Sequence, residues 1–156
     1  MKLSTLAVIL AALGLFQLTF LHYFRVFGVQ PDLFLVGVVL ASLFLEGRLA
    51  IIFSITLGIF KDAFSPAAFG LDILLFGLWS FLIVKITRKV SIEDNLSATL
   101  LIFIIALLQN IASGLSLAYS GNFIPPGIFL RAVFLGALYT ALVLPLLLKI
   151  IKVKIR

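Results

Sequence analysis

Residues 58–72 read GIFKDAFSPAAFGLD. Three charges, Lys61, Asp62 and Asp72, sit here between two apolar runs, in a chain where charged residues are scarce. The stretch has to be a tight turn between helices: Ser65-Pro66 ends one helix, and Gly70 frees the backbone before the next begins near Asp72. In a first helical turn a carboxylate gains about 0.3–1 kcal/mol from the helix dipole, which predicts a capping role for Asp72. Asp62 falls in the last turn of the preceding helix, where the same dipole disfavours an anion. It therefore requires a cation or hydrogen-bond donors, and Lys61, Arg25 and Arg131 are the candidate cations. Gly58 and Asp62, four residues apart, share one helix face.

Outward from this turn, 63% of the 156 residues are hydrophobic and 12% are charged, with a mean hydropathy of +1.32. Such a chain is too apolar for a soluble domain of this size and reads as an integral membrane protein. The apolar runs lack the alternation of barrel strands, so helices are the way to satisfy the backbone in lipid. A spanning helix needs about 20 apolar residues. The run 3–21 meets this and leads into His22, Tyr23 and Phe24, an interfacial set rather than a cleavage site, which predicts a retained span. Residues 31–60 would make one helix of about 45 Å, too long for a hydrocarbon core of roughly 30 Å, and Glu46-Gly47-Arg48 interrupts them. A hairpin of two short helices, 31–45 and 49–64, is the expectation. Further spans are expected at 71–84, 96–119 and 128–148, with Ser120-Gly121-Asn122 and Pro125-Pro126-Gly127 breaking the chain between the last two. The predicted fold is a single all-α membrane domain, a six-helix bundle.

Charge placement gives the same count. With six spans and the amino terminus inside, Lys2, Arg48, Lys85, Arg88, Lys89, Lys149, Lys152, Lys154 and Arg156 are cytoplasmic, nine of the twelve basic residues; Arg25, Lys61 and Arg131 are outside. That asymmetry follows the positive-inside rule and predicts both termini in the cytoplasm. The net charge of +6 is concentrated at 85–89 and in the tail, where anionic headgroups attract it. Nucleic acid is not an expected partner, since no soluble module presents the basic residues. Zero cysteines exclude disulfides and thiolate metal sites, and one histidine, His22, cannot build a multi-histidine centre. Neither GxGxxG nor GxxxxGK[ST] occurs, and no cofactor is expected.

Small and polar residues recur at four-residue spacing: Ser54, Gly58 and Asp62; Ala106, Asn110, Gly114 and Ala118; Ala132, Gly136 and Thr140. Close helix packing, with Gln109 or Asn110 bonding across, is one reading of these stripes. A polar cavity for a small ligand, lined by Asp62, Gln109 and Asn110, is another, and a groove for a lipid or partner helix is a third. An acid pair of Asp62 and Asp72 activating water is a conceivable hydrolytic arrangement that the sequence does not bring to a fixed separation.

Pro31-Asp32-Leu33-Phe34-Leu35, Glu46-Gly47-Arg48, the run from Gly58 through Asp62 to Ser65, and Gly70-Leu71 together resemble the bacterial rod shape-determining protein MreD family. The likeness in length, basic termini and span count covers nearly the whole chain, while its specific motifs lie within 31–72. That family more usually has an apolar residue where Lys61 stands. The resemblance implies a non-catalytic inner-membrane scaffold that binds MreC and, with MreB, RodA and a penicillin-binding transpeptidase, belongs to the cell-wall elongation complex; it leaves a homo-oligomer open. Pro31, Asp32, Gly58, Asp62, Gly70 and Asp72 would be its structural or partner-binding motif, and Gly136 the close-approach point of a partner helix. The family is also similar to the S components of energy-coupling-factor transporters, so a vitamin-binding transporter subunit is the alternative.

Overall fold

The computed structural model describes residues 3–19, 23, 25, 28–65, 69–90, 92 and 94–151. Six helices follow one another: α1 (Leu3–Thr19), α2 (Leu33–Phe44), α3 (Gly47–Phe64), α4 (Leu71–Thr87), α5 (Asn95–Tyr119) and α6 (Pro126–Ile151). The described residues contain no β-strand, so the chain is all-α.

The break between α2 and α3 falls at Leu45 and Glu46, as the Glu46-Gly47-Arg48 interruption predicts. Several ends differ from expectation: α2 starts at Leu33 rather than 31, α3 at Gly47 rather than 49, and α6 runs on to Ile151 rather than 148. Helix α4 runs to Thr87 rather than 84 and takes Lys85 into its last turn, where a cation is favoured by the C-terminal dipole. Helix α6 begins at Pro126 rather than 128, because proline suits the first helical position, whose N–H has no intrahelical partner. The expected roles of Lys2, His22, Phe24, Pro66 and the basic residues beyond 151 fall outside the described residues, as does the end of the first span at 20–21.

Helix α2 is the axis of the bundle. All of its residues from Leu33 to Ser42 are buried. A helix apolar on every side belongs in an interior, and this one can be short, about 18 Å for 12 residues, because it presents almost no face to the surroundings. Around it, α3 and α4 form one antiparallel hairpin, α5 and α6 another, and α1 lies against α2. The core joins Leu35, Leu40, Phe76, Ile83, Ile102 and Leu144, all at most 1% exposed.

The outside is apolar too. Leu74, Leu100, Phe134, Leu142, Leu146 and Ile150 are among many large hydrophobic residues left exposed, more than a soluble monomer carries. Helices α5 and α6, of 25 and 26 residues, are long and apolar enough to cross a membrane by length and composition. Helices α3 and α4 have 18 and 17 residues.

Candidate functional site

The residues of the opening stretch converge where α3 hands over to α4. Gly58 makes the approach possible: a Cβ there would lie 2.7 Å from Ile73 Cα and 2.8 Å from the Asp72 carbonyl oxygen. One turn on, the Asp62 carboxylate, 4% exposed, accepts from the backbone N–H groups of Gly70 (3.1 Å), Asp72 (3.2 Å) and Ile73 (3.0 Å). The first turn of any helix leaves such donors without intrahelical partners and carries the positive end of the dipole. Asp62 therefore caps α4 from a neighbouring helix. Gly70 adopts φ 96°, the left-handed region that glycine enters without penalty, and so turns its N–H toward Asp62.

Of the two kinds of partner expected for Asp62, a cation or hydrogen-bond donors, the structure supplies backbone donors. Lys61 serves two other carboxylates: its Nζ is 2.5 Å from Asp32 Oδ2 and 3.2 Å from Asp72 Oδ1, and it lies 4.9 Å from the centroid of the Phe76 ring. Asp32 is the N-cap of α2, with Oδ1 accepting from Leu35 N–H at 3.1 Å. Pro31, just before it, is buried.

Asp72 departs from the expected capping, since among the described residues its side chain accepts from no first-turn N–H of α4 and Asp62 caps that turn instead. It lies in the first turn of α4, yet its side chain is 1% exposed and Oδ1 accepts from Gln109 Nε2 of α5 at 2.5 Å. Gln109 Oε1 in turn accepts from the indole N–H of Trp79 at 2.8 Å. The other oxygen, Asp72 Oδ2, is buried without a hydrogen-bond partner. No hydrogen bond joins the Asp62 and Asp72 carboxylates among the described residues, and the oxygens of Asp62 are occupied by backbone donors.

Two links were not legible in the sequence. Asp32 N–H donates to Thr140 Oγ1 of α6 at 3.0 Å, and that hydroxyl donates to the Gly136 carbonyl at 2.8 Å. Leu33 N–H donates to Gln17 Oε1 of α1 at 2.8 Å. The only signal was the presence of polar side chains, Gln17 and Thr140, within otherwise apolar helices. With them, one polar system touches all six helices, centred on Lys61 between Asp32 and Asp72. Each interhelical bond of this kind is worth about 0.6 kcal/mol, rising to roughly 1.7.

The small-residue stripes resolve into packing. Ser54, Gly58 and Asp62 are all buried in α3. Asn110 donates to the Val133 carbonyl at 3.3 Å, and the Phe129 ring lies on Gly114, whose Cβ would sit 2.3 Å from it. Gly136 is buried, with a Cβ position 2.9 Å from Asn110 Nδ2 and 3.3 Å from Val29 Cγ1, and with Gln30, Asn110 and Ala132 it lines an open cleft of about 300 Å³. Of its stripe, only Ala132 is exposed. A small residue at the right spacing permits close approach without specifying which element approaches.

The site is therefore a charge-centred polar clasp inside an all-α bundle with an apolar exterior. Comparison with protein-family models, with curated proteins and with solved structures yields no match.

Proposed function

We propose that the chain is a non-catalytic six-span scaffold of the bacterial inner membrane, both termini cytoplasmic, that holds an MreC-like bitopic partner as part of the cell-wall elongation complex. One observation carries this reading: the residues of the MreD-like motif, Asp32, Gly58, Asp62, Gly70 and Asp72, are spent on one another and on neighbouring helices rather than turned toward a vacant cavity. A rigid body with an apolar exterior is what a scaffold requires. A vitamin-binding subunit needs polar groups facing a ligand, whereas Asp62 and Gln109 have protein partners; Asn110, bonded to the Val133 carbonyl, lines with Gln30 and Ser113 an open cleft of about 300 Å³.

A second surface suits a partner helix as well as the stripe through Gly136. Between α1 and α3 lies an apolar groove of about 370 Å³, lined by Ala7, Ala11, Gly14, Phe53, Thr56 and Phe60 among others. Small residues on one wall and aromatic rings on the other suit a single transmembrane helix, which binds in lipid by van der Waals fit. A photoreactive residue at Thr56 should crosslink a bitopic coiled-coil protein in native membranes, and one at Leu142, on α6, should not. Native mass spectrometry that finds a retained vitamin and no such partner overturns the assignment.

A further inference from the structure

At the end of the bundle away from the clasp, a cleft of about 490 Å³ opens between the α2–α3 turn and the last turns of α4, lined by Ser42, Glu46, Gly47, Arg48, Thr87 and Arg88 among others. Two arginines line it, Arg48 in the first turn of α3 and Arg88 at the C-cap of α4. Arg88 is placed closely: a Cβ on Gly47 would sit 3.2 Å from its Nη2, so the guanidinium rests against the first residue of α3. Glu46, the N-cap residue, makes no side-chain cap hydrogen bond, so no side chain of its own accepts from the first turn of α3. No ion pair joins Glu46, Arg48 or Arg88 among the described residues. The cleft thus gathers two planar fork donors and one exposed carboxylate where the start of α3 meets the C-terminal ends of α2 and α4, ends that favour cations. Lys85 and Lys89 flank it in sequence.

We propose that this cleft is a phosphate-binding site, its ligand a phosphate group carried by an anionic phospholipid headgroup or free in solution. Arginine recognises phosphate through paired N–H donors. Gly47 lets Val84 and Arg88 close on the start of α3, since a Cβ there would lie 3.0 Å from Val84 Cγ1 and 3.2 Å from Arg88 Nη2. The lipid source rests on the membrane-spanning reading above; the free-phosphate source does not, and neither depends on the identity of the protein partner.

The test uses the full chain, purified in detergent and exchanged into vesicles of phosphatidylcholine with or without phosphatidylglycerol. Arg48 and Arg88 are exposed, so the double variant Arg48→Gln/Arg88→Gln should fold; Lys149→Gln, an exposed cation of α6 outside the cleft, is the control. Native mass spectrometry should show preferential retention of phosphatidylglycerol by the wild type and by Lys149→Gln, and about a tenfold loss of that preference in the double variant. If inorganic phosphate instead raises the melting temperature of the wild type but not of the double variant, with no lipid preference, the site stands with free phosphate as its ligand. Equal losses in the double variant and in Lys149→Gln would reduce the effect to diffuse surface charge and overturn the proposal, as would a wild type that prefers neither ligand. Crosslinking at Thr56 reports separately on the scaffold reading.

Discussion

Gly58→Ala is the sharpest probe of the clasp. The added methyl would meet Ile73 Cα at 2.7 Å, and backbone cannot rotate aside as a side chain can. Restoring a carbon–carbon contact of about 3.5 Å requires α3 and α4 to part by roughly 0.8 Å at this point. The three bonds from Asp62, now 3.0–3.2 Å, would lengthen to well beyond useful hydrogen-bonding distance. At about 0.6–1.7 kcal/mol each, their loss amounts to roughly 2–5 kcal/mol, offset by up to about 1 kcal/mol from replacing a helical glycine with alanine. The net expectation is a destabilisation of about 1–5 kcal/mol. Gly127→Ala supplies the contrast, since nothing lies within 4 Å of its Cβ position; it should be neutral or mildly stabilising. Unfolding both variants in detergent, followed by circular dichroism, measures the difference. Equal stability of the two would refute the claim that Gly58 sets the α3–α4 distance on which Asp62 depends.

Three further outcomes follow from the same geometry. Lys61→Met leaves the Asp32 and Asp72 carboxylates without their shared cation and should cost about 3 kcal/mol, part of which Lys61→Met/Asp72→Asn recovers because the buried charge is removed too; an unchanged melting temperature in the single variant would count against the central role of Lys61. Gln109→Leu removes the acceptor of the chain's only tryptophan, so emission from Trp79 should move to shorter wavelength, whereas Leu108→Ala, on an exposed position beside it, should leave the spectrum in place. Single cysteines at Asn122 and Glu46 of this cysteine-free chain should differ in labelling by an impermeant thiol reagent applied from outside, the first reacting and the second not; reaction at Glu46 in cells with a permeabilised outer and an intact inner membrane would remove the six-span topology.

The helix order and most helix ends could be read from the sequence because glycine, proline and charge act locally: Glu46-Gly47-Arg48 stops one helix and starts the next whatever surrounds it. The Gly58–Asp62–Gly70 spacing was legible for a similar reason, since both partners of the clasp lie within one hairpin. Asp32 with Lys61, Asp72 with Gln109 and Asp32 with Thr140 are separated by 29, 37 and 108 residues, and no local rule brings them together. In helices that are apolar throughout, periodicity does not say which face is covered or by what. The stripe through Gly136 shows the consequence: its spacing announced a close contact correctly, but the contact is with Asn110 of the same chain.

Placed in a bilayer, the bundle would present two hydrophobic lengths side by side. Helix α3, with 18 residues, reaches about 27 Å, whereas α5, with 25, reaches about 37 Å. A hydrocarbon slab of roughly 30 Å matches the first and falls short of the second, so lipid must stretch or α5 and α6 must tilt on one flank while it stays relaxed on the other. The molecule would carry a step in membrane thickness within its own width. Lipid chains around it would slope from one hairpin to the other, and thicker membrane patches, or neighbours with equally long helices, would gather preferentially on the α5–α6 side.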